Sequence, residues 1–410
     1  MPMGRALALG LVTLMLAARP GTAAAQVCAY AANAGDGTVS LIDTGTNTAT
    51  LAITVGAAPH GVAVVKRGSS TAQIYVANSG ESSVSVIDTS TQTAPTKITV
   101  ESGPEDIAVL PDGSTAYVSH PDSGKVSVID TASGTPTTTV DVGGKPMGLA
   151  ASPDGKMVYV TDASNKQIVL IDTKSNTTTG TPFQTGGSPD TQPVDVAVTS
   201  DGTQVYVSSN RVVVIATSSG LAVAALQLQA QTQTHGITIT PDHATALLAV
   251  QDATGGSLVN IATDPSKRTF PLPVAALGPN AVPIGVAAAS DSKTAYVSDS
   301  AASSVDVVDI TTNSMTRSIP VGSNPQGVAI VSVATGCGTM PTPTATAIAT
   351  CVGDCNGNGV VGINELVIGV NIALDLTPAS ACVAFQDQGG MVTISQLIKG
   401  VNNALNGCPA

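Results

Sequence analysis

The chain has 410 residues, enough for more than one domain, and only 11% of them are charged. Asp and Glu number 28 against 16 Lys and Arg, a net charge of −12, and so acidic a surface excludes nucleic acid and anionic lipid, whose phosphates need a basic patch. With three Phe, six Tyr and no Trp, platforms for stacking sugar rings are scarce, which argues against a glycosidase or a glycan-binding module.

Residues 1–25 read as an export signal. Arg5 gives a positive start, Ala6 to Ala18 an apolar stretch too short to span a bilayer, and Ala23-Ala24-Ala25 a small-residue cleavage site before Gln26. Without Arg5 and Arg19 the chain carries 14 basic against 28 acidic residues, a net charge of −14. No later run of about 18 apolar residues follows, so no membrane span is predicted. The expected location is extracellular, cell-surface or periplasmic. In such oxidising compartments six cysteines read as disulfides rather than catalytic thiols.

From Gln26 a unit repeats. Tyr30, Tyr75, Tyr117, Tyr159, Tyr206 and Tyr296 stand at one point of it, spaced 45, 42, 42, 47 and 90 residues apart. The long gap holds one further unit, with Leu248 expected in the tyrosine's place. Seven copies at a period of about 44 residues point to propeller blades or a solenoid. In the clearest unit Pro146-Met147-Gly148-Leu149-Ala150-Ala151 leads through Pro153-Asp154-Gly155 to Val158-Tyr159-Val160 and then Ile168-Val169-Leu170-Ile171-Asp172. Apolar alternation bounded by such turns predicts short antiparallel strands. The third strand ends in Ile-Asp at Asp43, Asp88, Asp130 and Asp172, and Val308-Asp309 matches.

Tyr75-Val76-Ala77-Asn78 and Pro59-His60-Gly61-Val62-Ala63-Val64 resemble the motifs of the YVTN family of β-propellers, found in exported and surface-layer proteins. The resemblance covers residues 28–333 and implies an all-β seven-bladed propeller over residues 26–337. It implies that each Pro-x-Gly-Val strand is innermost and pairs with its tyrosine strand. Tyr30 then has no inner strand before it, and Gly327 to Val333 has no tyrosine strand after it. The two are expected to meet in one composite blade, closed by a Cys28–Cys337 disulfide. The family's geometry also places the residues after each Pro, the matching ones in the blade that lacks that Pro, and those three beyond each tyrosine, on one face. His60, Glu105, Asp106 and His235 become a candidate ligand-binding mouth, with Asp195, His120, Asn33, Asn78, Asp162, Ser209 and Asp299 mapping to the same face.

Residues 338–350, rich in Thr, Pro and Ala, read as an extended linker. In the tail, residues 351–410, Leu366, Val370, Ala373 and Leu374 fall at helical spacing, and Leu397, Val401, Ala404 and Leu405 repeat them 31 residues on. Ahead of the first helix, Asp354 to Glu365 fits the calcium-loop pattern at every defined position. Asp354, Asn356 and Asn358 would offer side-chain oxygens, Val360 its carbonyl and Glu365 two carboxylate oxygens. One calcium ion is expected there. In the second loop only Asp387 is a good ligand. The paired loop–helix units resemble dockerins and related extracellular EF-hand modules, which implies a small all-α calcium domain and a cohesin-like partner. Cys351, Cys355, Cys382 and Cys408 are expected to form two disulfides there, with three connectivities open.

Haem, zincin, nucleophile-elbow and P-loop motifs are absent from the sequence. The leading expectation is therefore an exported, non-enzymatic scaffold whose propeller binds a protein or cell-surface component. The alternative is a propeller enzyme of the lactonase or hydrolase type, or a carrier of a metal or redox cofactor, using the histidine-bearing mouth.

Overall fold

Each repeat folds into one antiparallel sheet because Asp side chains and the backbone freedom of Gly set the turns between its apolar stretches. In a computed structural model the structure describes residues 26–333, apart from 68–70, 93–94, 187–191, 229–231, 254, 269–271 and 273, together with Cys337. The expected leader, linker and calcium module, with Asp354, Asn356, Asn358, Val360, Glu365 and the four tail cysteines, lie outside the described residues. In the Pro-Asp-Gly hairpins, Asp112 Oδ1 accepts the Ser114 N–H at 2.9 Å and Asp154 Oδ1 the Lys156 N–H at 3.1 Å. Gly113 and Gly155 adopt φ of 73° and 69°, where a side chain would be strained. The Ile-Asp aspartates act alike at the next turn. Asp130, Asp172 and Asp309 each accept a turn N–H at 2.8 Å. Hydrogen bonds from Ser175 and Thr311 hold Asp172 and Asp309 below the usual carboxylate range.

Seven sheets of this kind form the blades of a seven-bladed all-β propeller. Among the described residues the only helix is one 3-10 turn, Pro265–Lys267. In six blades the four strands are consecutive, although the outer strand of the fourth blade is broken in two. The first blade is composite. Its inner strand Pro325–Val333 pairs with Gln26–Asn33, which pairs with Thr38–Asp43 and then Thr48–Thr54. Tyr30 sits opposite Ala329 just as Tyr75 sits opposite Ala63. Cys28 is bonded to Cys337 across this closure, with Cα atoms 5.5 Å apart. Ring closure leaves neither the first nor the last described strand unpaired at the seam.

The tyrosines are structural. All six are at most 5% exposed and pack toward the following blade. The Tyr117 hydroxyl donates to Asn176 Oδ1 at 2.7 Å, and that of Tyr296 to Asn47 Oδ1 at 2.8 Å.

The sixth blade corrects one expectation. Leu247, not Leu248, holds the tyrosine position. It pairs with Thr238 and Asn260 as Tyr296 pairs with Ala287 and Val307. Leu248 faces the other way, into the core containing Tyr206. Two adjacent leucines look alike in sequence, and a one-residue shift reverses every side chain in a strand. Asn260 takes over the missing hydroxyl's work. Its Nδ2 donates to Ile310 O and Asn313 Oδ1, the counterparts of Thr44 O and Asn47 Oδ1 beside Tyr296. Where the ring would lie there is a pocket of about 200 Å³, and the buried Asn260 Oδ1 has no hydrogen-bond partner among the described residues.

Candidate functional site

The inner strands converge on the ring axis, and each presents three residues there. His60-Gly61-Val62, Glu105-Asp106-Ile107, Val194-Asp195-Val196 and His235-Gly236-Ile237 line a cavity of about 570 Å³, joined by one triplet from each remaining blade. The middle position is glycine in five blades and aspartate in two. Glycine is required where the aspartates crowd in. A Cβ on Gly61 would lie 2.7 Å from Asp106 Cα, and one on Gly148 would overlap the Asp195 carboxylate. Among the described lining residues there is no Lys or Arg.

His60, Glu105, Asp106 and His235, the four mouth residues expected from the sequence, therefore line one cavity. His60 Nε2 lies 3.5 Å from Glu105 Oε1, and both side chains are partly exposed at 31% and 23%. His235 Nε2 is buried and has no hydrogen-bond partner among the described residues. Burial, aided by the nearby His60, lowers the pKa of His235, so its ring is neutral at pH 7.

Asp106 and Asp195 sit deeper. Asp106 Oδ2 accepts the Leu149 N–H of the next blade at 2.9 Å, and the carboxylate also accepts its neighbour Ile107 N–H. Asp195 Oδ1 accepts the Val196 N–H at 2.7 Å and Oδ2 the Ile237 N–H of the next blade at 2.9 Å. Burial pushes both carboxyls above the ordinary carboxylate range, and the charge of Asp106 adds to the effect at Asp195, which reaches about 8. Sequence reasoning placed Asp195 on this face without naming it a site residue. Its signal was Pro193-Val194-Asp195, the counterpart of Pro104-Glu105-Asp106.

The residues three beyond each tyrosine do not face the cavity. Asn33, Asn78, His120, Asp162, Ser209 and Asp299 are all at most 3% exposed. Asn33 donates to the Thr38 and Ser40 hydroxyls, and the others clamp backbone. Asp162 Oδ1 accepts the Lys145 N–H at 3.0 Å and Asp299 Oδ1 the Val282 N–H at 2.9 Å, each in the loop entering the inner strand. The His120 ring contacts Ser127 Oγ at 2.8 Å and Ser102 O at 3.2 Å. Buried loop amides need partners, and these side chains supply them. Among the described residues no three His, Cys, Asp or Glu side chains are grouped as metal ligands.

No protein-family model matches this sequence, and no curated protein does. Solved structures are similar in fold. A putative 6-phosphogluconolactonase from Bacteroides uniformis superposes with a TM-score of 0.62 at 15% identity, covering 75% of this chain and 100% of that one. The periplasmic gluconolactonase of Pseudomonas aeruginosa gives 0.60 at 16%, over 75% and 99%. Virginiamycin B lyase from Staphylococcus aureus gives 0.55 at 14%, over 67% and 91%. At these identities the likeness establishes the seven-bladed propeller, on which the site chemistry must be argued from its own residues.

Proposed function

We propose that the axial cavity is the active site of a propeller hydrolase of the lactonase type, acting on a small, unphosphorylated lactone or ester. The observation that carries this reading is the His60–Glu105 pair facing a 570 Å³ cavity that is also lined by the half-buried His235, whose Nε2 has no hydrogen-bond partner among the described residues. Glu105 lies beside Nε2 of His60, which would leave Nδ1 as the general base. His60 takes a proton from water, the hydroxide adds to the carbonyl carbon, and the ring C–O bond breaks. The leaving alkoxide recovers the proton, giving the open hydroxy acid. Neutral His235, which also lines the cavity, would hydrogen-bond a substrate hydroxyl. The lack of any basic lining residue disfavours a phosphate-bearing substrate, whose charge calls for Arg or Lys.

The lactonase and lyase neighbours support this reading over that of a passive scaffold. The tail calcium site at Asp354, Asn356, Asn358, Val360 and Glu365, the YVTN relationship, export and a cohesin-like partner stand beside it as separate proposals. The test is a panel of five- and six-membered lactones, each with and without a phosphate group, followed by pH-stat. Catalysed opening of an unphosphorylated lactone, in preference to its phosphorylated twin, is expected. No turnover across the panel would reject the hydrolase reading.

A further inference from the structure

The two aspartates show what the cavity wall binds. In these antiparallel sheets, alternate residues of the inner strand point their N–H groups away from the ladder. Leu149 and Ile237 are such residues, and each N–H is taken by the aspartate of the preceding blade. Both stand opposite the residue that follows the tyrosine position, Val160 for Leu149 and Leu248 for Ile237. Val62, Val286 and Val328 occupy the same register, opposite Val76, Val297 and Ala31. Their N–H groups are therefore turned toward the axis as well.

In that arc the preceding blade carries glycine where the other half carries aspartate. A Cβ added to Gly327 would lie 3.1 Å from Val62 N, one on Gly285 3.1 Å from Val328 N, and one on Gly236 3.3 Å from Val286 N. With glycine there, no side chain at that position takes these amides, and among the described residues no side-chain hydrogen bond to them is found. The ring thus has two halves. In one, Asp106 and Asp195 take the N–H groups of Ile107, Leu149, Val196 and Ile237. In the other, three consecutive amides face the cavity between the strand of His235 and the strand of His60.

We infer that the amides of Val62, Val286 and Val328 form a subsite for a carboxyl or ester group of the ligand, seated as Asp106 and Asp195 seat their own carboxyl groups across the ring. Asp195 gives the span of the group, since its two oxygens bridge N–H groups of adjacent blades. The inference rests on the hydrolase reading and refines it. Fixed N–H donors aimed at a carbonyl oxygen stabilise the negative charge that gathers there as hydroxide adds. The same donors would then hold the carboxylate product.

The experiment is amide-resolved NMR of the isotopically labelled full-length protein, titrated with D-gluconate and, separately, with D-sorbitol, the same polyol without a carboxyl group. Saturable shifts at Val62, Val286 and Val328 with gluconate but not sorbitol, with Leu149 and Ile237 unmoved, are expected. Asp106→Gly restores the residue that five blades carry and exposes two more N–H groups. It should strengthen gluconate binding by roughly fivefold or more, the worth of about one added hydrogen bond. Equal shifts with sorbitol, shifts confined to other amides, or a folded Asp106→Gly protein with unchanged or weaker binding would overturn the inference. Gluconate at the three amides without lactone turnover would leave the subsite standing and remove the hydrolase reading. Turnover without those shifts would do the reverse.

Discussion

Single residues carry the repeat, and where one is replaced the structure repairs it locally. The tyrosines and turn aspartates were legible in the sequence because each has one job that few other residues can do. A buried phenol must reach a neighbouring blade, and a short carboxylate must cap a turn. Leu247 was not legible, because nothing in Ala246-Leu247-Leu248 tells one apolar face from the other until pairing is known. Nor was the role of Asn260, which depends on the chain 50 residues later. The repair is testable. Asn260→Val alone should cost about 1–3 kcal/mol, because Ile310 O and Asn313 lose their buried donor. The pair Leu247→Tyr with Asn260→Val rebuilds the arrangement of the seventh blade and fills the 200 Å³ pocket. It should exceed the parent in stability by about 0.5–2 kcal/mol. Urea denaturation of the two single variants and the pair should show strong non-additivity, and additive effects would refute the substitution of Asn260 for the hydroxyl.

At the scale of the strand, the inner triplets place the site. Alignment of the inner strands was enough to bring His60, Glu105, Asp106 and His235 to one cavity, although Asp106 replaces the glycine of Pro-x-Gly and Thr234 its proline, because equivalent positions on seven inner strands share one height on the ring axis. The same logic misplaced His120 and Asp162. They end strands facing the entry loops, and those loops have backbone amides to satisfy. The inward amides of Val62, Val286 and Val328 were invisible to sequence, since they follow from register alone. The deep aspartates give this level a pH signature. Asp195 titrates at about 8 in the folded chain and at the ordinary 3.8 when unfolded. Between those values the folded chain binds more protons than the unfolded one, so its contribution to stability is full below about pH 4 and falls as pH rises toward 8. Asp195→Asn should flatten that decline in urea midpoints compared between about pH 5 and pH 8.5. An unchanged slope would show that the carboxyl is ionised throughout.

Across the whole molecule, closure of the ring holds these strands at one axis. The composite blade joins the first described strand to the last, and the Cys28–Cys337 bond spans 309 residues across the seam. Such a bond forms and persists in oxidising compartments, which fits export. No described helix is long and apolar enough to cross a membrane. By loop entropy the bond contributes about 5 kcal/mol, so Cys28→Ser should unfold at markedly lower urea with the same final signal. A change under about 1 kcal/mol would mean that strand pairing alone closes the ring. Closure also fixes His60 beside Glu105 from the neighbouring blade, and the proposed chemistry depends on that pair. The most direct measurement is kcat/KM for an unphosphorylated δ-lactone, corrected for spontaneous opening, in the protein and in His60→Ala. A fall of about 10²–10⁴-fold with folding intact is the expected result for a lost general base. Equal rates in the two proteins would contradict the assignment of this cavity as the active site.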